Sequence, residues 1–329
     1  KTLDGKNVTD KKFGSIVKAK QFIETYKSMP EFKVYGMTRY NYQYIANEYP
    51  KDIQWDKDKI KIFTLDLECE CEHGFPDPDG KPADMSKPVQ VFIIMGQSNT
   101  LEFGKVKGDK EGTLEHAIEN EKLYSFMVDD SGKWTTRKDV RNVHVMGSGG
   151  PGKTRLMRND WLTVSGSKIG IEQGIGHQIG DASDAPVLVL KSSIGNRALG
   201  WDLLPPGSKG FEFTDSKGVT WVHPGYKGSP EKWKKGETPK PIGWYAGLQY
   251  DGDVARAKDV LKNLSKYYPG ATEFEVAGFL WWQGDRDSRS AALSSRYEKN
   301  LVHLIKTLRK EFNAPKAKFV CASLGQTKR

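Results

Sequence analysis

The residue best suited to covalent chemistry is Ser98. It stands in Gly96-Gln97-Ser98-Asn99, directly after the apolar run Val89 to Met95, so its hydroxyl sits on a turn where glycine lets the backbone bend sharply. A second apolar run, Ala185 to Leu190, leads into Ser192-Ser193-Ile194-Gly195-Asn196-Arg197-Ala198-Leu199-Gly200-Trp201, where a small residue lets a backbone N–H approach a substrate oxygen. A third, Val276 to Trp282, ends in Trp281-Trp282-Gln283-Gly284-Asp285, which sets an amide side chain between aromatics and a turn. A nucleophile and two kinds of oxyanion donor at three strand ends form the constellation that acyl transfer requires.

The elements that must position these residues follow from hydrophobic periodicity. The three runs, with Lys318 to Ala322 as a fourth, have the length of strands. Helical patterns lie between them: Ile171 to Ala182, Gly252 to Tyr268, and Ser290 to Phe312, the last with Leu301, Leu304, Ile305 and Leu308 on one face. Alternating strands and helices predict a three-layer α/β/α sandwich with a parallel sheet, whose reactive groups collect at the carboxyl ends of the strands. The Pro-, Gly-, Lys- and Trp-rich stretch from Leu203 to Gly243 reads as a long loop near the site.

The blocks around Ser98, Gly195 and Gln283, in this order and spacing, resemble the SGNH hydrolase superfamily. The likeness is to its sialate O-acetylesterase-like and carbohydrate acetylesterase branch, which writes its first block Gly-Gln-Ser-Asn and its third Trp-x-Gln-Gly-Glu. The resemblance runs from about Val89 to the chain end. It implies a flavodoxin-like SGNH fold, a serine esterase acting through an acyl-enzyme, an acetylated carbohydrate as partner, no cofactor, and a secreted or periplasmic location. Ser98 would attack the acetyl carbonyl, and its own N–H, that of Gly195 and the side-chain amide of Gln283 would bind the oxyanion. Asn99 would fix the turn, Trp201 and Trp282 would form sugar-stacking walls, and Gln97, Asn196 and Asp285 would line the substrate site. Asp285 stands where the family usually has Glu, and Thr100 where it usually has Met.

The family takes its general base from an Asp-x-x-His motif after a further strand. After the third block this chain carries only His303, within an amphipathic helical pattern; His177 precedes the second block, and His223 lies in the long insertion. The resemblance therefore implies a domain lacking its carboxy-terminal strand and helix, with the base past Arg329 and an inactive or nearly inactive chain.

Two other chemistries have sequence support. Gly147-Ser148-Gly149-Gly150-Pro151-Gly152-Lys153-Thr154 matches the phosphate-loop pattern of nucleotide hydrolases, with Lys153 for phosphate and Thr154 for magnesium. A phosphate loop must open a long helix, whereas Trp161 to Ser167 reads as strand and turn. On a strand-like stretch, Lys61 to Glu68, Asp66 and Glu68 share one face and could hold a divalent metal. The segments Leu3 to Lys6, Phe32 to Gly36, Ile62 to Glu68 and Gly74 to Pro78 resemble the amino-terminal region of bacteriophage B-family DNA polymerases. That resemblance puts Asp66 and Glu68 on metal-binding positions of the first exonuclease motif and implies nucleic-acid binding by residues 1–80. Nothing after Gly80 resembles the remaining exonuclease motifs, so a vestigial metal pair in a chimeric reading frame is expected.

The turn-rich Phe75 to Gly80 predicts a boundary, giving a small α+β segment over residues 1–80 and the esterase domain over 81–329. The chain of 329 residues is long enough for a sizeable core, and its formal charge of +9 suits either an acidic partner or a solvated lysine-rich surface. No apolar stretch reaches membrane-spanning length, and no signal-peptide pattern opens the sequence at Lys1. The three cysteines, Cys69, Cys71 and Cys321, form no disulfide framework. Which acetylated glycan is bound, and the oligomeric state, are not encoded in these features.

Overall fold

The computed structural model describes residues 83–152 and 154–324, together with Phe22 and Thr25. The chain divides into two units, Lys1–Asp66 and Leu67–Arg329, and the second holds every element considered below. Asp66 and Glu68, and with them the metal and polymerase-like readings, lie outside the described residues, as does Lys153.

In chain order the elements are β1 (Val89–Gly96), β2 (Gly104–Lys105), α1 (Leu114–Glu119), β3 (Thr136–Met146), β4 (Arg155–Thr163), β5 (Lys168–Ile169) and α2 (Glu172–Asp181). There follow β6 (Val187–Ser192), β7 (Phe211–Thr214), β8 (Thr220–His223), β9 (Trp233–Lys234), α3 (Leu248–Lys262) and α4 (Leu264–Tyr267). The last are β10 (Phe274–Trp282), α5 (Asp285–Ser288), α6 (Ala291–Ser294), α7 (Tyr297–Glu311) and β11 (Lys318–Cys321). The main sheet has six strands in the order β11-β10-β1-β6-β3-β4.

The central strands read as near-continuous apolar runs because both of their faces are covered. On β1, Val89, Val91, Ile93 and Met95 join Leu188 and Leu190 of β6 in a core completed by Val254, Ala257 and Val260 of α3 and by Leu304 and Leu308 of α7. On the opposite face Ile94, Val187 and Val189 pack with Ile175 and Ile179 of α2. Helices on both faces make the α/β sandwich that the strand and helix pattern predicts.

Two features depart from expectation. The sheet is mixed: β3 runs parallel to β6, but β4 returns antiparallel to β3 at the edge. The antiparallel return follows from the connection, because the short glycine-rich turn from Met146 to Arg155 leaves no room for the crossover of a dozen or more residues that parallel pairing needs. The stretch from Leu203 to Gly243 is also more than loop, for it folds its own antiparallel sheet in the order β7-β8-β9. Its strands are two to four residues long and half exposed, too short to leave a strong alternation in sequence.

The parallel register sets the level of the strand ends. Gly96 of β1 pairs with Trp282 of β10, Ile94 with Lys191 of β6, and Lys191 with His144 of β3. The Ser98 turn, the Gly195 loop and the Gln283 turn therefore leave the sheet together at its carboxyl end.

Candidate active site

The turn that presents Ser98 depends on a close backbone crossing. Gly96 has φ +148°, and a Cβ there would stand 2.4 Å from the carbonyl oxygen of Trp282, so no other residue lets β1 pass β10 this closely. The Gln97 N–H donates to that same Trp282 carbonyl at 3.3 Å. Ser98 to Thr100 then form one 3₁₀ turn. Thr100, fully buried, bonds its Oγ1 to the Gln97 carbonyl at 2.6 Å and to Ser193 Oγ at 2.7 Å. That bond fastens the Ser98 turn to the loop leaving β6.

The same loop brings Gly195 to the nucleophile. The Cβ position of Gly195 lies 3.6 Å from Ser98 Cβ, which is van der Waals contact with the nucleophile's own carbon. Among the described residues, no acceptor within the protein takes the N–H of Ser98 or of Gly195. Two unengaged backbone donors beside one half-exposed serine hydroxyl give the elements of an oxyanion hole.

Gln283 has a different part from the expected one. Its Nε2 donates to Asp287 Oδ2 at 2.6 Å and to the Arg197 carbonyl at 2.9 Å, with Gln97 Oε1 at 3.3 Å. Three acceptors fix the amide orientation and engage both N–H bonds, so Gln283 is a strut between loops rather than a free oxyanion donor. Gln97 is likewise internal, with its Oε1 also accepting the Gly284 N–H at 3.4 Å. Trp201 lies in a buried cluster with Ala198, Leu204, Ala246 and Leu293, which removes it as a stacking wall, whereas Trp282 is half-buried. Asn99 is half-buried, Asn196 is exposed with φ +55°, and Asp285 is held by Arg289.

Asp287 was missed in sequence, although it stands one helical turn after Gln283. It is buried, and it accepts the N–H of Leu199 at 2.9 Å and of Gly200 at 2.8 Å in addition to Gln283 Nε2. Burial pushes its carboxyl above the ordinary range, and these donors pull it back toward the charged form. Asp202 repeats the device nearby, accepting Ala198 N–H at 2.8 Å and Arg286 Nη1 at 2.8 Å.

None of the described histidines is placed to serve Ser98. His303 Nε2 meets the Pro206 carbonyl at 2.7 Å, and His223 stacks on Phe211 at 4.7 Å in the small sheet. His177 packs against Phe126, His116 against the Asp109 carbonyl, and His144 lies buried within β3. Among the described residues, no imidazole lies within hydrogen-bond distance of Ser98.

The phosphate-loop pattern folds as the reverse of a phosphate cradle. Arg256 of α3 gathers the carbonyls of Gly147 at 3.0 Å, Gly149 at 3.3 Å and Gly150 at 3.3 Å, while Gln249 Oε1 takes the Gly149 N–H at 2.8 Å. Gly252 lets the loop lie on α3, since a Cβ there would come within 1.9 Å of the Gly149 carbonyl. Carbonyls converging on a cation leave no donor nest for an anion, and β4 rather than a helix follows at Arg155. The nucleotide-hydrolase reading fails on both counts.

Among the described residues, no group of three or more His, Cys, Asp or Glu side chains is placed to hold a metal, and no helix is long and apolar enough to cross a membrane. Cys321 is a free, exposed thiol.

Residues 221–329 match the family model described as carbohydrate esterase, sialic acid-specific acetylesterase. The carboxy-terminal third is similar to these acetylesterases. The resemblance read from Trp282-Gln283-Gly284 is borne out over that segment. Similar solved structures include a protein from Arabidopsis thaliana, at 14% identity and TM-score 0.40, covering 73% of this chain and 76% of that one. A carbohydrate acetylesterase from Xanthomonas citri aligns at 16% identity and TM-score 0.40, covering 70% of this chain and 40% of that one. NanS aligns at 13% identity and TM-score 0.38, covering 72% and 67%. None of the curated proteins matches the chain.

Two predictions follow from the buried groups. Replacing Asp287 with Ala strands the N–H groups of Leu199 and Gly200, and urea denaturation is expected to register a loss on the order of 3 kcal/mol, with an unchanged midpoint contradicting the bridging role. Burial, then the neighbouring Lys191, depresses His144 from its ordinary 6.5 to about 3. Below pH 6.5 the unfolded chain takes up a proton there that the folded chain refuses, so this contribution to stability is intact above 6.5 and falls as pH drops toward 3. His144→Gln should make denaturation midpoints between those limits less steeply pH-dependent, by about 1.4 kcal/mol per pH unit. An unaltered pH slope would show that His144 is not the group responsible.

Proposed function

We propose that this chain belongs to the chemistry of serine O-acetylesterases acting on carbohydrate, with Ser98 as the nucleophile. The observation that carries the reading is the juxtaposition of Ser98 with Gly195, whose Cβ direction points to within 3.6 Å of Ser98 Cβ, with the N–H of each unengaged. The family likeness over residues 221–329 supports the substrate class, and a sialic acid ester is the member of that class it favours.

In this mechanism Ser98 Oγ attacks the acetyl carbonyl carbon, and the carbonyl oxygen gathers negative charge between the two backbone N–H groups. The sugar alcohol leaves with a proton, and water then attacks the acetyl-serine to release acetate. A serine hydroxyl needs a base to take its proton at the first step. The described residues offer no imidazole for it, and the family resemblance assigns that duty to an Asp-x-x-His motif. The engaged amide of Gln283 acts here as a positioning group, holding the carbonyl of Arg197 and thereby the loop that carries Gly195.

Hydrolysis of p-nitrophenyl acetate by the full chain tests the reading. Slow turnover above the buffer rate, of the size an oxyanion hole gives without a resident imidazole, that Ser98→Ala abolishes with the variant still folded by circular dichroism, is the expected result. Equal rates for the two proteins would remove Ser98 from the mechanism.

A further inference from the structure

Arg197 stands two residues beyond Gly195 on the loop leaving β6, and its carbonyl is fixed in the site by Gln283. Two residues of chain cover at most about 7 Å, so its backbone lies within that distance of Gly195, the residue beside Ser98. The guanidinium is held by neutral groups alone. Nε donates to Gln249 Oε1 at 3.3 Å, Nη1 to the Asn196 carbonyl at 3.2 Å, and Nη2 to Ser148 Oγ at 2.9 Å. Its plane lies over the Trp244 ring at 5.1 Å. Among the described residues, no carboxylate lies within ion-pair distance of it.

The other arginine on this rim is in the opposite condition. Arg286 also reaches the Asn196 carbonyl, at 3.4 Å, but it is paired with both Asp202 at 2.8 Å and Glu231 at 3.2 Å. One cation is paired twice, and the other feels Asp202 and Asp253 only through space, with no described carboxylate at ion-pair distance. Of the five N–H donors on a guanidinium, Arg197 uses three, which leaves two on a partly exposed, aromatic-backed plane. A planar group with two spare donors and no carboxylate hydrogen-bonded to it suits a carboxylate, which it can grip by charge-assisted hydrogen bonds.

We propose that Arg197 is a specificity residue that receives a carboxylate on the substrate, so that the site selects acidic acetylated sugars over neutral ones. The assignment rests on the esterase reading for the identity of the ligand but not for its test, which measures binding. The full chain is titrated calorimetrically with N-acetylneuraminic acid and with its methyl ester, which keeps the sugar and removes the charge.

The acid is expected to bind at least tenfold more tightly than the ester at low ionic strength. Arg197→Gln should bring the acid down to the level of the ester, and Arg197→Lys should recover part of the difference. Equal affinity of the wild-type chain for acid and ester, no binding of the acid at millimolar concentration, or an acid affinity untouched by Arg197→Gln would each overturn the assignment. The comparison of acid with ester uses wild-type protein, so a variant that fails to fold does not remove the test. Acid-selective binding through Arg197 without ester turnover would contradict the esterase reading alone, whereas Ser98-dependent turnover without acid selectivity would contradict the Arg197 assignment alone.

Discussion

Asp287 accepts two backbone N–H groups from one strand-end loop and the side-chain amide of Gln283 from another, and it does so out of reach of solvent. A buried carboxylate is costly unless both of its oxygens are met by donors. The three donors meet that requirement only when the loops after β6 and β10 stand at one relative position. The Gln283 amide then holds the Arg197 carbonyl, and so the loop that brings Gly195 against Ser98. Thr100 and Ser193 close the circuit from the other side by tying the Ser98 turn to the same loop. The spacing of the two free N–H groups is thus set by buried polar bonds that themselves touch no substrate.

The strands and helices of the sandwich were legible because their cause is local. Runs such as Val89 to Met95, apolar but for Gln90, and Val187 to Leu190 are near-continuous, as strands covered on both faces must be, and the amphipathic stripe of α7 repeats at helical spacing. What escaped notice depends on partners far away in sequence. The antiparallel return of β4 is set by its turn, and the small β7-β8-β9 sheet by pairing between strands too short to carry a pattern. The glycine-rich run at Gly147 shows how far a pattern of residue types can diverge from a backbone. Its letters fit a phosphate cradle, yet Arg256 turns the carbonyls inward.

The closeness of Ser98 and Gly195 was legible because turns after neighbouring apolar strands expose small residues and hydroxyls at one end of the sheet. Gln283 was found for its position but given a free donor that its neighbours consume. Asp287 left one usable signal, its four-residue spacing from Gln283, which puts an acceptor one helical turn from an amide. Trp201 shows the converse error, since a tryptophan beside a reactive loop can as readily fill a core as face a sugar.

The central claim is that Ser98 accepts the acetyl group, and the most direct measurement is peptide mass spectrometry of the full chain quenched in acid after brief exposure to p-nitrophenyl acetate. The account predicts one acetylated peptide bearing the modification on Ser98, absent from protein unfolded before exposure. Acetyl groups confined to lysines, or an acetylated Ser98 formed equally in folded and unfolded protein, would contradict it.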